Sequence, residues 1–207
     1  MKKTTLTLAP TLLAGFTFVS CENPADKTTD ATVGEVQEEL EGSGSKFIFE
    51  DSSTIGFTGS KVTGSHDGGF KDFAGHFFLG EDGTPTAGEF TIQMDSLWSD
   101  NEKLTGHLKN EDFFEVATYP TSSFKLTKAI KTGEEAYEIS GNLTLHGVEK
   151  NITFPVTASR EGDTASFKAE FDINRKDFGI LYAGKTDDLI RDEVVIRLDF
   201  TAQAAAQ

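Results

Sequence analysis

Four histidines, one arginine–aspartate neighbourhood and one cysteine are the side chains whose chemistry could make a site in this chain. The histidines stand at 66, 76, 107 and 146. No two of them share the i, i+2 or i, i+4 spacing of a local metal site, so no metal ligands are assigned. A Ser/His/Asp triad would need its nucleophile in a recognisable setting, and no G-x-S-x-G occurs. The glycine-rich run Gly64-Ser65-His66-Asp67-Gly68-Gly69 lacks the Lys and following helix of a phosphate loop and reads as a strand-to-strand turn. No catalytic residue and no cofactor are assigned. An enzyme or metal site using His66, His107 or His146 with nearby carboxylates is the alternative reading.

The arginine is more informative. Asn174-Arg175-Lys176-Asp177-Phe178-Gly179-Ile180 follows an alternating run and precedes a polar stretch, Gly184 to Asp188. The rigid donor fork of Arg175 suits a phosphate or carbonyl oxygen. Asp177 is near enough in sequence to orient it. The competing reading is a structural Arg175–Asp177 pair closing a corner of the fold.

These residues must be held by strands. Apolar and polar residues alternate with period two at Phe47-Phe49, Ile55-Phe57, Phe73–Leu79, Phe90–Met94, Phe124–Leu126, Ile139–Leu145, Ile152–Ala158, Phe167–Ile173 and Val194–Phe200. Tight turn signals separate them, so eight or nine short antiparallel strands form a sandwich or barrel. One stretch breaks the period. Ser99 and Glu102 read as a capping box. Leu104, His107 and Leu108 share a helical face, and Tyr119-Pro120 turns the chain away from α. The fold class is therefore all-β, with an antiparallel eight-stranded barrel and a short helix at about 99–110 inserted between strands. Outward-facing alternation could also mean an outer-membrane barrel. The charged alternates Lys168, Glu170 and Asp172 argue instead for a solvated outer face.

Residues 1–20 read as a signal peptide, with Lys2 and Lys3 before a short apolar run. Cys21 is the lone cysteine and follows that run directly, which resembles a lipobox, so it is the expected lipidation site, attaching the protein to a membrane in the cell envelope; ordinary cleavage nearby, leaving a free thiol, is the competing reading. Residues 21–45 are acidic and lack aromatics, which predicts a flexible tether, reaching roughly 25–30 Å as a coil. Residues 46–202 form the barrel domain. The formal charge is −15, with no basic cluster, so nucleic acid is an unsuited partner. A homodimer is the candidate assembly.

The chain has 18 Phe. Such a barrel is just wide enough to be filled by side chains or to hold one small ligand. The rings could fill it. Alternatively, small residues on the same face (Gly75, Gly141, Ala158 and Ala169) could leave a slot between them.

Four passages, SDNEKLTGHLKNEDFFEVATYPTSSF at 99–124, GSKVTGSHDGGFKDFAGHF at 59–77, GNLTLHGVEKNITFPV at 141–156 and FDINRKDFGILYAGKTDDLIRDEVVIRLDF at 171–200, resemble the YceI-like proteins. Those are secreted bacterial, lipocalin-like barrels. The resemblance implies a bound isoprenoid or fatty acyl chain along the barrel axis and no chemistry. Leu104, Leu108, His107, Arg175, Asp177, Phe77, Phe90, Phe124 and Phe171 are then the expected ligand-binding residues. A purely structural envelope lipoprotein, plugged by Phe, is the further alternative.

Overall fold

Strands with one apolar face must curl that face away from water, and here they do so by closing on themselves. The computed structural model describes residues 22–186 and 188–206. Its strands are β1 (Thr29–Asp30), β2 (Thr32–Gly34), β3 (Ser45–Phe49), β4 (Thr54–Lys61), β5 (Gly64–Phe70), β6 (Phe73–Leu79), β7 (Pro85–Gln93) and β8 (Leu97–Ser99). After the helix α1 (Glu102–Leu108) come β9 (Thr121–Lys131), β10 (Ala136–Leu145), β11 (Val148–Glu161), β12 (Thr164–Asn174), β13 (Gly184–Lys185) and β14 (Asp188–Ala204). The ring runs β12-β11-β10-β9-β7-β6-β3-β14 and returns to β12, an antiparallel barrel closed by eight strands. The long β14 pairs with β3 near one end and with β4 near the other, where β5 and β8 extend the wall.

The apolar alternates point inward. Phe171, Ile173, Leu198 and Phe200 are buried in one core cluster, while Lys168 and Glu170 lie outside and pair with Asp199 (2.8 Å) and Arg197 (3.0 Å) on β14. This is the inverse of a lipid-facing barrel. The glycine-rich run read as a turn is the strand β5. Gly68 and Gly69 serve close approach: a side chain at Gly68 would overlap the Phe57 ring and the Trp98 carbonyl.

The helix is shorter than expected and differently capped. Asn101, not Ser99, is the N-cap, and its side chain accepts from Leu104 N at 3.1 Å. Ser99 instead receives its contacts from within the turn, where its backbone N–H donates to Thr105 Oγ1 at 2.8 Å. Asn at the cap is chemically equivalent to Ser there.

Residues 22–42 depart most from expectation. They form a girdle on the barrel wall, not a free coil. Asn23 lies beside Ser60 on β4, Ala25 is buried, and Thr28 Oγ1 donates to Asp172 on β12 at 2.6 Å. β11 and β12 pair only through Thr157–Glu161 and Thr164–Lys168, and beyond that they separate. The girdle occupies the gap: β1 pairs with Phe171 and Asp172, β2 with Asn151–Thr153. Gln37 then exchanges two hydrogen bonds with the Asn142 side chain (3.0 and 2.7 Å), and Leu40 N donates to Leu126 O at 3.1 Å. Most of these contacts are backbone and polar side-chain pairs, which need few of the apolar residues whose scarcity suggested disorder.

The girdle also covers Asp172, which was expected on the solvated face and is buried. Burial holds its carboxyl above the ordinary range, the Thr28 hydroxyl opposes this, and Asp30 adds to it. A carboxyl that binds its proton more tightly when folded loses stability as pH rises through its folded pKa. Asp172→Asn is therefore expected to raise the melting temperature at pH 7 relative to the parent. That advantage shrinks as pH falls toward the unfolded carboxylate value. Melts of both proteins across this range check it; a difference that does not change with pH would refute it.

Candidate functional site

The helix closes one end of the barrel and leaves a chamber beneath it. Leu108, Phe113, Phe57, Leu97 and Ile180 form a buried cluster at that end, with Leu104 and Phe114 packed against it. α1 presents Leu104 and Leu108 inward because they lie one turn apart on a single face. Under this lid is a cavity of about 310 Å³, walled by β4, β5, β7, β9, β10, β11, β12 and β14. Its lining is apolar, with Ser60, Lys61, His66, Ser122 and Arg175 as the polar exceptions. The volume is at the lower limit for small-molecule sites, roughly 300–1,000 Å³.

Those polar groups already have partners. Lys61 is ion-paired with Asp188, and His66 Nδ1 lies 2.8 Å from Asp100. Ser122 Oγ donates to the Thr144 carbonyl at 2.7 Å. Arg175, only 4% exposed, donates from Nη1 to Ile180 O (2.6 Å), from Nε to Arg191 O (3.1 Å) and from Nη2 to Asp192 Oδ1 (3.2 Å). Burial lowers the pKa of its guanidinium, and Asp192 opposes that. The expected Arg175–Asp177 pair does not form. Asp177 is exposed on the 3₁₀ turn Arg175–Phe178, and Asp192 arrives from β14 instead.

Beyond the chamber the barrel is filled with rings. Phe90 stacks on Phe124 with centroids 5.3 Å apart, and Phe124 meets Phe154 at 5.7 Å. Phe49 stacks on Phe200 (4.4 Å), and Phe77 meets Phe167 edge-on (4.3 Å). The glycines expected to leave slots are instead covered by rings. A side chain at Gly141 would overlap Phe124, and one at Gly75 would overlap Phe49 and Phe90. A smaller space of about 80 Å³ remains on the far side.

Of the expected ligand-binding residues, Leu104, Leu108, Phe90, Phe124, Phe171 and Arg175 line the chamber. Phe77 lines the smaller space. His107 and Asp177 line neither: His107 packs between Phe113 and Tyr182, with Nε2 3.0 Å from Asp112. Residues missed in the sequence include Ile190, Val194 and Ile196 on β14 and Ile180 after the 3₁₀ turn. For the β14 residues apolar alternation was the available signal; Ile180 stands in no alternating run. The histidines do not gather: each is near a different carboxylate, Asp100, Glu89, Asp112 or Glu115. No group of three metal-competent side chains occurs among the described residues. Cys21 lies outside the described residues.

This combination of a girdled eight-stranded barrel, helical lid and apolar chamber can be compared with known proteins. Residues 48–202 match the model of the YceI-like domain. The chain belongs to that family. A UPF0312 protein of Pseudomonas putida strain W619 is 36% identical over 131 residues, covering 59% of this chain and 68% of the relative. One from Pseudomonas fluorescens strain SBW25 is 32% identical over the same length and with the same coverage. Among solved structures, Burkholderia cenocepacia BcnA superposes with a TM-score of 0.66 at 22% identity, covering 73% of this chain and 96% of that one. A domain from Saccharophagus degradans, described as polyisoprenoid-binding and implicated in plant cell wall breakdown, gives 0.65 at 17% identity, covering 79% and 100%. At these identities the superpositions speak for the fold.

Proposed function

We propose that this YceI-like barrel is a lipid-anchored envelope protein that holds or carries one long-chain lipid, isoprenoid or fatty acyl, without transforming it. The observation that carries this reading is the lidded apolar chamber, whose few polar groups are engaged with protein partners. An apolar chain gains affinity there from area, at roughly 25 cal/mol per Å² removed from water. The description of the Saccharophagus domain as polyisoprenoid-binding supports the ligand class. The placement of Cys21 directly after an apolar leader supports the anchor.

The test is mass spectrometry of an organic extract of the protein purified from cells, run beside the Cys21→Ala variant. The expected result is a co-purifying long-chain species in both preparations, with the parent in the membrane fraction and the variant soluble. A clean extract would leave a structural envelope protein. Unchanged membrane partition of the variant would remove the anchor.

A further inference from the structure

The chamber ends at a wall of aromatic rings, and that wall has a measurable consequence. Phe90, Phe124, Phe154 and Leu198 line both the 310 Å³ chamber and the 80 Å³ space beyond it, so these four side chains are the partition between them. Phe124 is its centre, stacked on Phe90 at 5.3 Å and against Phe154 at 5.7 Å. The tip of its ring sits against Gly141, where the missing side chain makes room for it. The ring has a seat in the lumen that its neighbours hold from both sides.

The depth above it follows from β4. The lining on that strand runs from Lys61, at the end of the strand away from the partition, to Ile55, which pairs with the partition residue Leu198. Six residue steps make roughly 20 Å along the strand, and about 15 Å along the axis at usual barrel tilt. That is about one leaflet of a bilayer, half of a hydrocarbon core of roughly 30 Å.

Resting on the lipid-holding function proposed above, we infer that Phe124 is a chain-length stop. The chamber takes a single apolar chain of about leaflet length. Longer chains must leave their excess outside the lid, where it gains nothing from burial. The 80 Å³ space behind Phe124 is an extension closed to ligand as long as the ring is in place.

The test is a homologous series of straight-chain 1-alkanols, from half a leaflet length to twice it, titrated into delipidated protein by displacement of a fluorescent fatty acid. In the parent, affinity is expected to rise about fourfold per added methylene and then stop rising near leaflet length. In Phe124→Leu and Phe124→Ala the rise should continue to longer chains before it levels. Ile130→Ala, at an exposed position on β9 that lines neither space, should leave the break where it is. The folded state of each variant is checked by its melting transition. If Phe124→Ala fails to fold, Phe124→Leu and the parent's own break still decide. A parent series with no break, or a break unmoved in a folded Phe124 variant, overturns the stop while leaving lipid binding intact. No binding of any alkanol by the parent overturns the lipid-holding function itself, and the stop with it.

Discussion

Removing residues 22–42, so that the chain starts at Ser43, is expected to lower stability by about 3–5 kcal/mol. The reason is the gap between β11 and β12 that the girdle fills. Phe171 and Ile152 line the chamber, are each 2% exposed, and have Thr29 and Val33 as their backbone partners in the gap. Burying such a side chain contributes about 1.5–3 kcal/mol, so laying both partly open costs a comparable sum. For a domain of this size that corresponds to a melting temperature lower by roughly 10 °C. The truncation also strips the Gln37 backbone from Asn142, a side chain only 2% exposed, leaving it with Asn151. Val33→Asp should give a loss of the same sign with the chain length unchanged, because Val33 packs against the main core. Thermal melts of the three proteins check this. A truncated domain that melts within about 2 °C of the full chain would show that the gap closes without the girdle.

The same contrast explains which parts of the molecule could be read from the sequence. The strands at Phe167–Ile173 and Val194–Phe200 were legible because each buries one face, which forces a period of two. The helix was legible because it breaks that period, although Ser99 and Asn101 are both competent caps and sequence alone does not rank them. β5 was not legible: three of its seven residues are Gly, and two of them, Gly68 and Gly69, are there for close packing against Phe57, Ile55 and Trp98 rather than for turning. The girdle was not legible because backbone pairs, the Thr28–Asp172 bond and Asn142 hold most of it, while its apolar contacts, Ala25, Ala31 and Val33, are too few to leave a periodic signature. Within the site, alternation showed which Phe side chains point inward. It could not show that Phe124 meets Phe90 and Phe154, because register between distant strands sets those meetings. The same holds for Arg175: the carboxylate nearest in sequence faces solvent, and its actual partner comes from β14.

Arg175→Ala is expected to lose about 3–5 kcal/mol, and to lose it equally with and without a bound chain. The magnitude is that of breaking a buried charged pair. Most of it arises here from acceptors left behind. Asp192 keeps a second cation, Lys176 Nζ at 2.8 Å, whereas the carbonyls of Ile180 and Arg191 lose the donors at 2.6 and 3.1 Å. Those three bonds tie the 3₁₀ turn after β12 to the Ile180 segment and to β14, so the loss falls on the wall around the chamber. Arg175→Lys should recover little, because a single ammonium cannot reach three acceptors held by a planar fork. A residue that gripped a ligand head group would behave otherwise. Its replacement would weaken phosphate-bearing chains, spare bare alkanols and leave the empty protein's melting unchanged. Melting the parent and the alanine variant, each empty, with a 1-alkanol and with a polyprenyl phosphate, separates the two roles. Equal losses in all three states fit a clamp between backbone segments. A loss confined to the phosphate-bearing ligand would make Arg175 part of the binding site.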